Sequence, residues 1–361
     1  MRMLFYYTAP AWSGSSRAFA VAARGLTARG EEVTVVCREN TPAEEAFTRE
    51  GLDVVPVPVN DVSRDAWRLR SVLKDKRVDA VFLHTEREQL VAASAMRLGV
   101  RGAVVRRVPA GGATTASTKA HFAARMASMR WLFTTEQDRA RAGLGDSAFL
   151  APLGVDVERV NDVRAVARAS IGMDEQTQLM VCVADRASRT RIATALRTVA
   201  LLAERHLELR LALVGSGCDD DDTHMHASAL GITPLVRFLG ERDDLPDLVG
   251  AADVGWVAAE GDDGAFACLD FMAARVPVIA ERSSLLSHYV PDMIAGVLLP
   301  PADPSDTAAA VANFLADNER RAAMGKAGRT RAARDFSEKA MIDGFATVAA
   351  AAVDRGQRTA K

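Results

Sequence analysis

Cysteine is scarce in this chain. Four occur in 361 residues, Cys37, Cys182, Cys218 and Cys268, each far from the next. No Cys-x-x-Cys pair or Cys/His spacing of a zinc site is present. Scattered thiols beside apolar runs read as buried and reduced, which excludes a disulfide scaffold and sets a cytoplasmic expectation. Long apolar runs are also missing, and none approaches the roughly 20 residues needed to span a bilayer. The opening MRMLFYYTAPAW has a short apolar run and no small-residue cleavage pattern, so it reads as a first strand and not as a signal peptide. An excess of one charge is absent: 45 Lys+Arg stand against 47 Asp+Glu, so nothing global points to nucleic acid. No tandem repeat of the roughly 20–50-residue kind is visible. The acidic run Asp219–Asp222 lacks the spaced ligands of a cation site and reads as a solvated loop.

What is present suits two domains of ordinary size, with 49% hydrophobic residues to fill their cores. The charge is unevenly spread. Residues 1–160 hold 23 Lys+Arg and 18 Asp+Glu, and the remainder holds 22 and 29. A mildly basic first half suits either an anionic acceptor or membrane surface, or scattered solvated charge. Short apolar strands alternate with helical patterns from Met3–Tyr7 to about residue 150. This spacing predicts βαβ units and a parallel sheet, and the strands lack alternation because both faces are covered. Pro152-Leu153-Gly154 breaks the rhythm and places a hinge at about 152–170. The alternation then restarts at Leu179–Ala184. The expected fold class is α/β, with two doubly wound domains whose strand ends face a cleft.

Four stretches carry chemistry. Arg186 and Arg191 sit in the loop after the strand LMVCVA, where they read either as a diphosphate clamp or as surface arginines. In the second, Asp253–Ala280, the polar turn Glu260–Gly264 feeds a helix from Ala265, a phosphate-friendly arrangement. Asp262 and Asp270, eight residues apart, suit either sugar hydroxyls or a dipole complement and a helix acid. The third is the Pro10–Arg17 loop, where Gly14 and its serines permit close backbone approach. The fourth is His84, at the end of AVFLH, which is either a ligand-facing or a structural histidine. Gly215-Ser216-Gly217 lacks the third glycine of a dinucleotide fingerprint, so NAD is not supported.

These residues resemble a known family. The segments GEEVTVVC, VDAVFLH, APLGVDVERV, ADRASRTR, LRLALVGSG, VRFLGERDDLPDLVGAADV, LDFMAARVPVIA and GVLLPPADPSDTAAAV are similar to GT-B glycosyltransferases of the GT4 type. The resemblance covers nearly the whole chain. It implies two Rossmann-like domains, an acceptor-side domain at 1–160 and a donor-binding domain at 161–335, with a helix at 336–361 returning to the first. It implies a retaining, metal-independent transfer of a sugar from a UDP- or GDP-linked donor, with no other cofactor. The acceptor would be a glycan, lipid or small molecule, and peripheral membrane contact would suit it. By position, His84, Arg186, Arg191 and Asp262 would carry catalysis. Gly14, Val236, Phe238, Asp263, Gly264, Ala265, Phe266 and Asp270 would bind the donor, with the base held by backbone at Val236–Gly240. Both acids are aspartates where the family has glutamates. A second register pairs Glu260-Gly261 with the family's Glu-Gly. Two further readings stand beside transfer: a GT-B protein that binds nucleotide or glycan without turnover, and a sugar-nucleotide epimerase.

Overall fold

The structure is a computed structural model. It describes residues 1–100, 102–112, 118, 124, 127, 129–158, 164–203, 209–300 and 304–358. Most of the helix expected at 118–129 lies outside the described residues, as do 159–163 of the expected hinge and 301–303 of the proline-rich turn. The chain forms two compact units. One holds Met1–Leu153 together with the chain from Glu338 onward, and the other holds Gly154–Ser337.

The first unit is built on β1 (Arg2–Tyr7), β2 (Glu32–Arg38), β3 (Asp53–Val57), β4 (Ala80–Leu83), β5 (Ala103–Arg107), β6 (Arg130–Phe133) and β7 (Ala148–Leu150). All pairings are parallel, and the sheet order is β3-β2-β1-β4-β5-β6-β7. The central strands are apolar on both faces because helices cover both sides. One face buries an aromatic cluster. Phe5 stacks on Phe82 at 4.8 Å, meets Phe19 edge-on at 5.0 Å, and lies 5.9 Å from Phe345 of the last helix, Glu338–Arg358. Such pairs add roughly 0.5–1.5 kcal/mol each beyond their buried area. The final helix is therefore part of this unit's core.

The second unit repeats the plan with β8 (Gln178–Val183), β9 (Leu209–Val214), β10 (Val236–Gly240), β11 (Val254–Val257), β12 (Val278–Glu281) and β13 (Gly296–Leu299). Its order is β10-β9-β8-β11-β12-β13, again parallel throughout. In both sheets the strand order reverses beside the first strand, between β1 and β4 and between β8 and β11. A crevice opens at the carboxyl ends of strands at such a switch point. Where the chain enters and leaves this unit it pairs with itself: Val155 N donates to Phe336 O at 2.9 Å, and Val155 and Ser337 form a bridge.

Helix starts differ from the expectation in three places. The turn expected at Glu260–Gly264 is the first turn of a helix, Gly261–Ala273. Gly261 bends the chain out of β11 with φ +54°, a conformation that costs glycine little. Asp262 and Asp263 then sit where the helix dipole favours negative charge. Gly14 likewise opens the helix Gly14–Ala28 and does not lie in a loop. Its serines act as caps: Ser13 N donates to Ser16 Oγ at 2.7 Å. In the acidic run, Asp221 and Asp222 belong to the first turn of Asp221–Ala229. All four cysteines are buried thiols, and burial pushes Cys37 and Cys218 up to about 12. Among the described residues, no helix is long and apolar enough to cross a membrane.

Candidate functional site

In the first unit, the switch point is organised by one carboxylate. Glu88, in the helix Glu86–Arg97, is fully buried. Its Oε1 accepts from Thr8 N at 2.7 Å and from Thr8 Oγ1 at 2.9 Å. Its Oε2 accepts from His84 N at 2.9 Å and Thr85 N at 3.1 Å, and lies 2.9 Å from His84 Nδ1. Burial alone raises this carboxyl, but the neighbouring His84 and the backbone N–H groups overcome it and hold the group at about 2. The ends of β1 and β4 are thus tied to one anion. His84 is nearly buried and stacks on Tyr7 at 4.7 Å, with ring planes 9° apart. Sequence reasoning misses Glu88, although Thr85-x-x-Glu88 is the capping-box pattern that marks it.

In the second unit, the loops after β8 and β11 meet. Asp185 Oδ2 accepts from Glu260 N at 3.0 Å, and Asp185 Oδ1 accepts from Ser188 Oγ at 2.8 Å. Arg191, on the helix Arg189–Ala203, crosses the crevice. Its Nη1 pairs with Glu260 Oε1, and its Nε lies 3.6 Å from Glu281 Oε2 at the end of β12. Glu260 is the N-cap of Gly261–Ala273 but gives it no side-chain cap, since its carboxylate turns to Arg191. Arg186 faces the other way. It lies 3.4 Å from Asp220, beyond β9, and Arg189 lies 3.6 Å from the same carboxylate. The two predicted clamp arginines therefore straddle the strand end with different partners. Arg186 is 69% exposed, where an ion pair is worth little.

The two predicted acids share one helix but do not share an exposed surface. Asp262 is 4% exposed and Asp270 is 2% exposed. Eight residues separate them by about 12 Å along the axis. Asp263 is half-buried beside Asp262, whereas Ala265 and Phe266 are buried. Gly264 is required by contact: a Cβ there would lie 2.3 Å from Ala259 O. The exposed acid of this turn is Glu260, with 59% of its side chain open to solvent. Close approach also fixes Gly215, with φ +118° and a would-be Cβ 1.9 Å from Ala184 O. Gly215 N donates to Gly240 O at 2.7 Å, which joins the ends of β9 and β10. Val236 is buried, and Phe238 packs against the unit's core with its ring 3.8 Å from that of His224. This segment can offer a base its backbone, not those side chains. Among the described residues, no group of three or more His, Cys, Asp or Glu could hold a metal ion. Gly14 and His84 belong to the first unit and the remaining predicted residues to the second.

Two doubly wound units in one chain, each with a switch-point crevice, define the GT-B class of fold. The sequence matches known families across both units. Residues 13–159 match the Glycosyl transferase 4-like domain, and residues 163–331 match Glycosyl transferases group 1. The chain belongs to the GT4-like group of GT-B glycosyltransferases. Among curated relatives, it is 30% identical over 207 residues to a D-inositol 3-phosphate glycosyltransferase of Corynebacterium jeikeium strain K411, which covers 54% of this chain and 49% of that one. It is 26% identical over 183 residues to the lipopolysaccharide core biosynthesis glycosyltransferase LpsE of Rhizobium meliloti strain 1021, covering 51% and 53%. The chain spans about half the length of the curated relatives it matches. The fold is shared with Anabaena Alr3699/HepE, solved in complex with UDP-glucose: TM-score 0.79, 15% identity, 97% of this chain and 100% of that one. A glycosyltransferase from Rickettsia africae ESF-5 superposes with TM-score 0.80 at 12% identity, covering 96% and 98%.

Proposed function

We propose that this protein is a retaining, metal-independent glycosyltransferase that takes a sugar from a nucleoside-diphosphate donor. The observation that carries the reading is the convergence at the β8–β11 switch point. There Arg191, the loop at Asp185 and the start of a 13-residue helix meet at one crevice. A diphosphate placed there gains the helix dipole and a guanidinium that stays charged at any working pH. The same groups stabilise the negative charge that grows on the leaving diphosphate, so no enzyme nucleophile is needed. Asp262 meets the donor sugar, Asp270 lies on the ribose side, and backbone at Val236–Gly240 holds the base. His84 orients the reacting sugar or the acceptor hydroxyl, and the helix start at Gly14 offers its backbone N–H groups to the donor. A UDP-linked donor is supported by the HepE complexes with UDP and UDP-glucose, and the D-inositol 3-phosphate relatives support a polyol-type hydroxyl acceptor.

The test is a thermal-shift screen of UDP, GDP and ADP, followed by turnover with the matching sugar nucleotides. Stabilisation by one diphosphate, with sugar transfer from its donor and retained anomeric configuration, is the expected result. Stabilisation without transfer or hydrolysis of any donor would leave a binding protein. Formation of an epimer without an acceptor would make it an epimerase.

The reading extends to a membrane surface. Trp67 is 57% exposed on the helix Val62–Asp75, on a face with exposed Arg64 and Lys74, and the Arg70 guanidinium sits 5.1 Å from its ring. Tryptophan among basic side chains suits anionic headgroups. The protein should co-sediment with phosphatidylglycerol vesicles and not with phosphatidylcholine ones, and Trp67→Ala should lose most of that binding. Equal recovery with both lipids would rule out the contact.

A further inference from the structure

We propose that Glu88 is a positioning residue for His84, holding its imidazole as the Nδ1–H tautomer and leaving Nε2 as the acceptor nitrogen at the switch point of the first unit. The inference rests on the reading of His84 as a ligand-contacting residue, and goes beyond it by assigning the tautomer and the group that sets it.

The geometry leaves the ring little freedom. Glu88 Oε2 lies 2.9 Å from Nδ1 and accepts the backbone N–H of the same histidine at 2.9 Å. Tyr7 covers one face at 4.7 Å, and Phe19 meets the ring edge-on at 5.9 Å. A carboxylate that already accepts from Thr8 and Thr85 carries no proton to give. Nδ1 must therefore be the donor of the pair. A neutral ring with its proton on Nδ1 presents a lone pair at Nε2, and among the described residues Nε2 has no hydrogen-bond partner. That nitrogen can accept from a hydroxyl, the group a sugar acceptor offers. The same carboxylate fixes Thr8 at the end of β1, so the histidine and the backbone beside it are set by one anion.

A purely structural Glu88 would satisfy backbone N–H groups equally well, so the test must follow the proton. Histidine-labelled wild-type protein is recorded by long-range 1H–15N correlation at a pH where the ring is neutral by its own titration. His84→Gln identifies the His84 signals by their loss. The expected spectrum has the proton on Nδ1 and bare Nε2. A proton on Nε2 with bare Nδ1 overturns the proposal, and this reading needs no variant of Glu88 to fold. Kinetics give the second arm. Glu88→Asp should lower kcat about 10- to 100-fold, the scale on which orienting partners of a functional imidazole act, with a smaller change in KM. Glu88→Asp combined with His84→Gln should be no worse than His84→Gln alone. Losses that simply multiply would show that Glu88 acts independently of the ring, and would overturn the proposal. Wild-type rates in His84→Gln would instead reject the reading of His84 as a contact residue, an outcome separate from the proton position.

Discussion

Replacing Arg191 with alanine weakens nucleoside diphosphate binding by roughly 1.5–3 kcal/mol, the loss carried by one charged hydrogen-bonding partner. In affinity that is about 10- to 150-fold. The guanidinium is the only clamp arginine turned toward the β11 and β12 ends, since Arg186 pairs with Asp220 on the far side. Its present partner is itself an anion. Glu260 and Glu281 hold the charge that a diphosphate would take, so the ligand must compete with them. Glu260→Gln should therefore move affinity the other way, a few-fold tighter, by removing a competing negative charge from the site. Calorimetry with UDP reads both variants. An Arg191→Ala affinity equal to wild type would take this residue out of the site. A large loss of turnover in Glu260→Gln, with Asp262→Asn unaffected, would transfer the donor-sugar role to Glu260 and favour the second register.

Arg168→Ala should cost the second unit about 1–3 kcal/mol, the range found when buried polar groups lose a hydrogen-bonding partner. Arg168 is 1% exposed. Its Nη2 donates to Asp253 Oδ2 at 2.8 Å, its Nε to Ala251 O at 3.0 Å, and its Nη1 to Thr177 O at 2.8 Å. Asp253 in turn accepts from Leu179 N at 2.8 Å and pairs with Arg164 at 2.7 Å. These contacts lie at the entry to β8 and β11, opposite the ligand end of the same two strands. Truncation leaves a carboxylate and backbone carbonyls short of a donor. The measurement is denaturant unfolding monitored at a probe in this unit, and a change under about 1 kcal/mol would show that water or Arg164 replaces the lost bonds.

The sheets are readable from sequence because their strands are short, continuous apolar runs between helices, as in LMVCVA and LRLALV. The helix starts are harder. Glu-Gly-Asp-Asp-Gly has the composition of a turn, yet the same acids favour a helix N-terminus, and tertiary packing settles the matter at Gly261. Of the two readings of Asp262 and Asp270, a surface helix acid is the one the structure removes, since both side chains are buried. Their depth is not readable, because eight-residue spacing sets an axial separation but not which side of the helix meets the sheet. Glu88 is hidden for a related reason. In HTEREQL it resembles a solvated helix acid, and only the reversal of strand order at β1 and β4 brings Thr8 to it from far away in sequence. Arg186 and Arg191 stand out as a pair, but the acids that divide them lie more than one loop away.

Phe345 packs against Phe5 and Phe82, so the aromatic core of the first unit is closed by the last helix of the chain. During synthesis that core stays open until the whole of the second unit has left the ribosome, because the helix that begins at Glu338 follows that unit in sequence. The first half made is thus the last half finished, and the second unit is the first that can complete its own core. A fragment ending at Leu153 would lack Phe345 and leave the face at Phe5, Phe19 and Phe82 without its cover, a surface prone to aggregation.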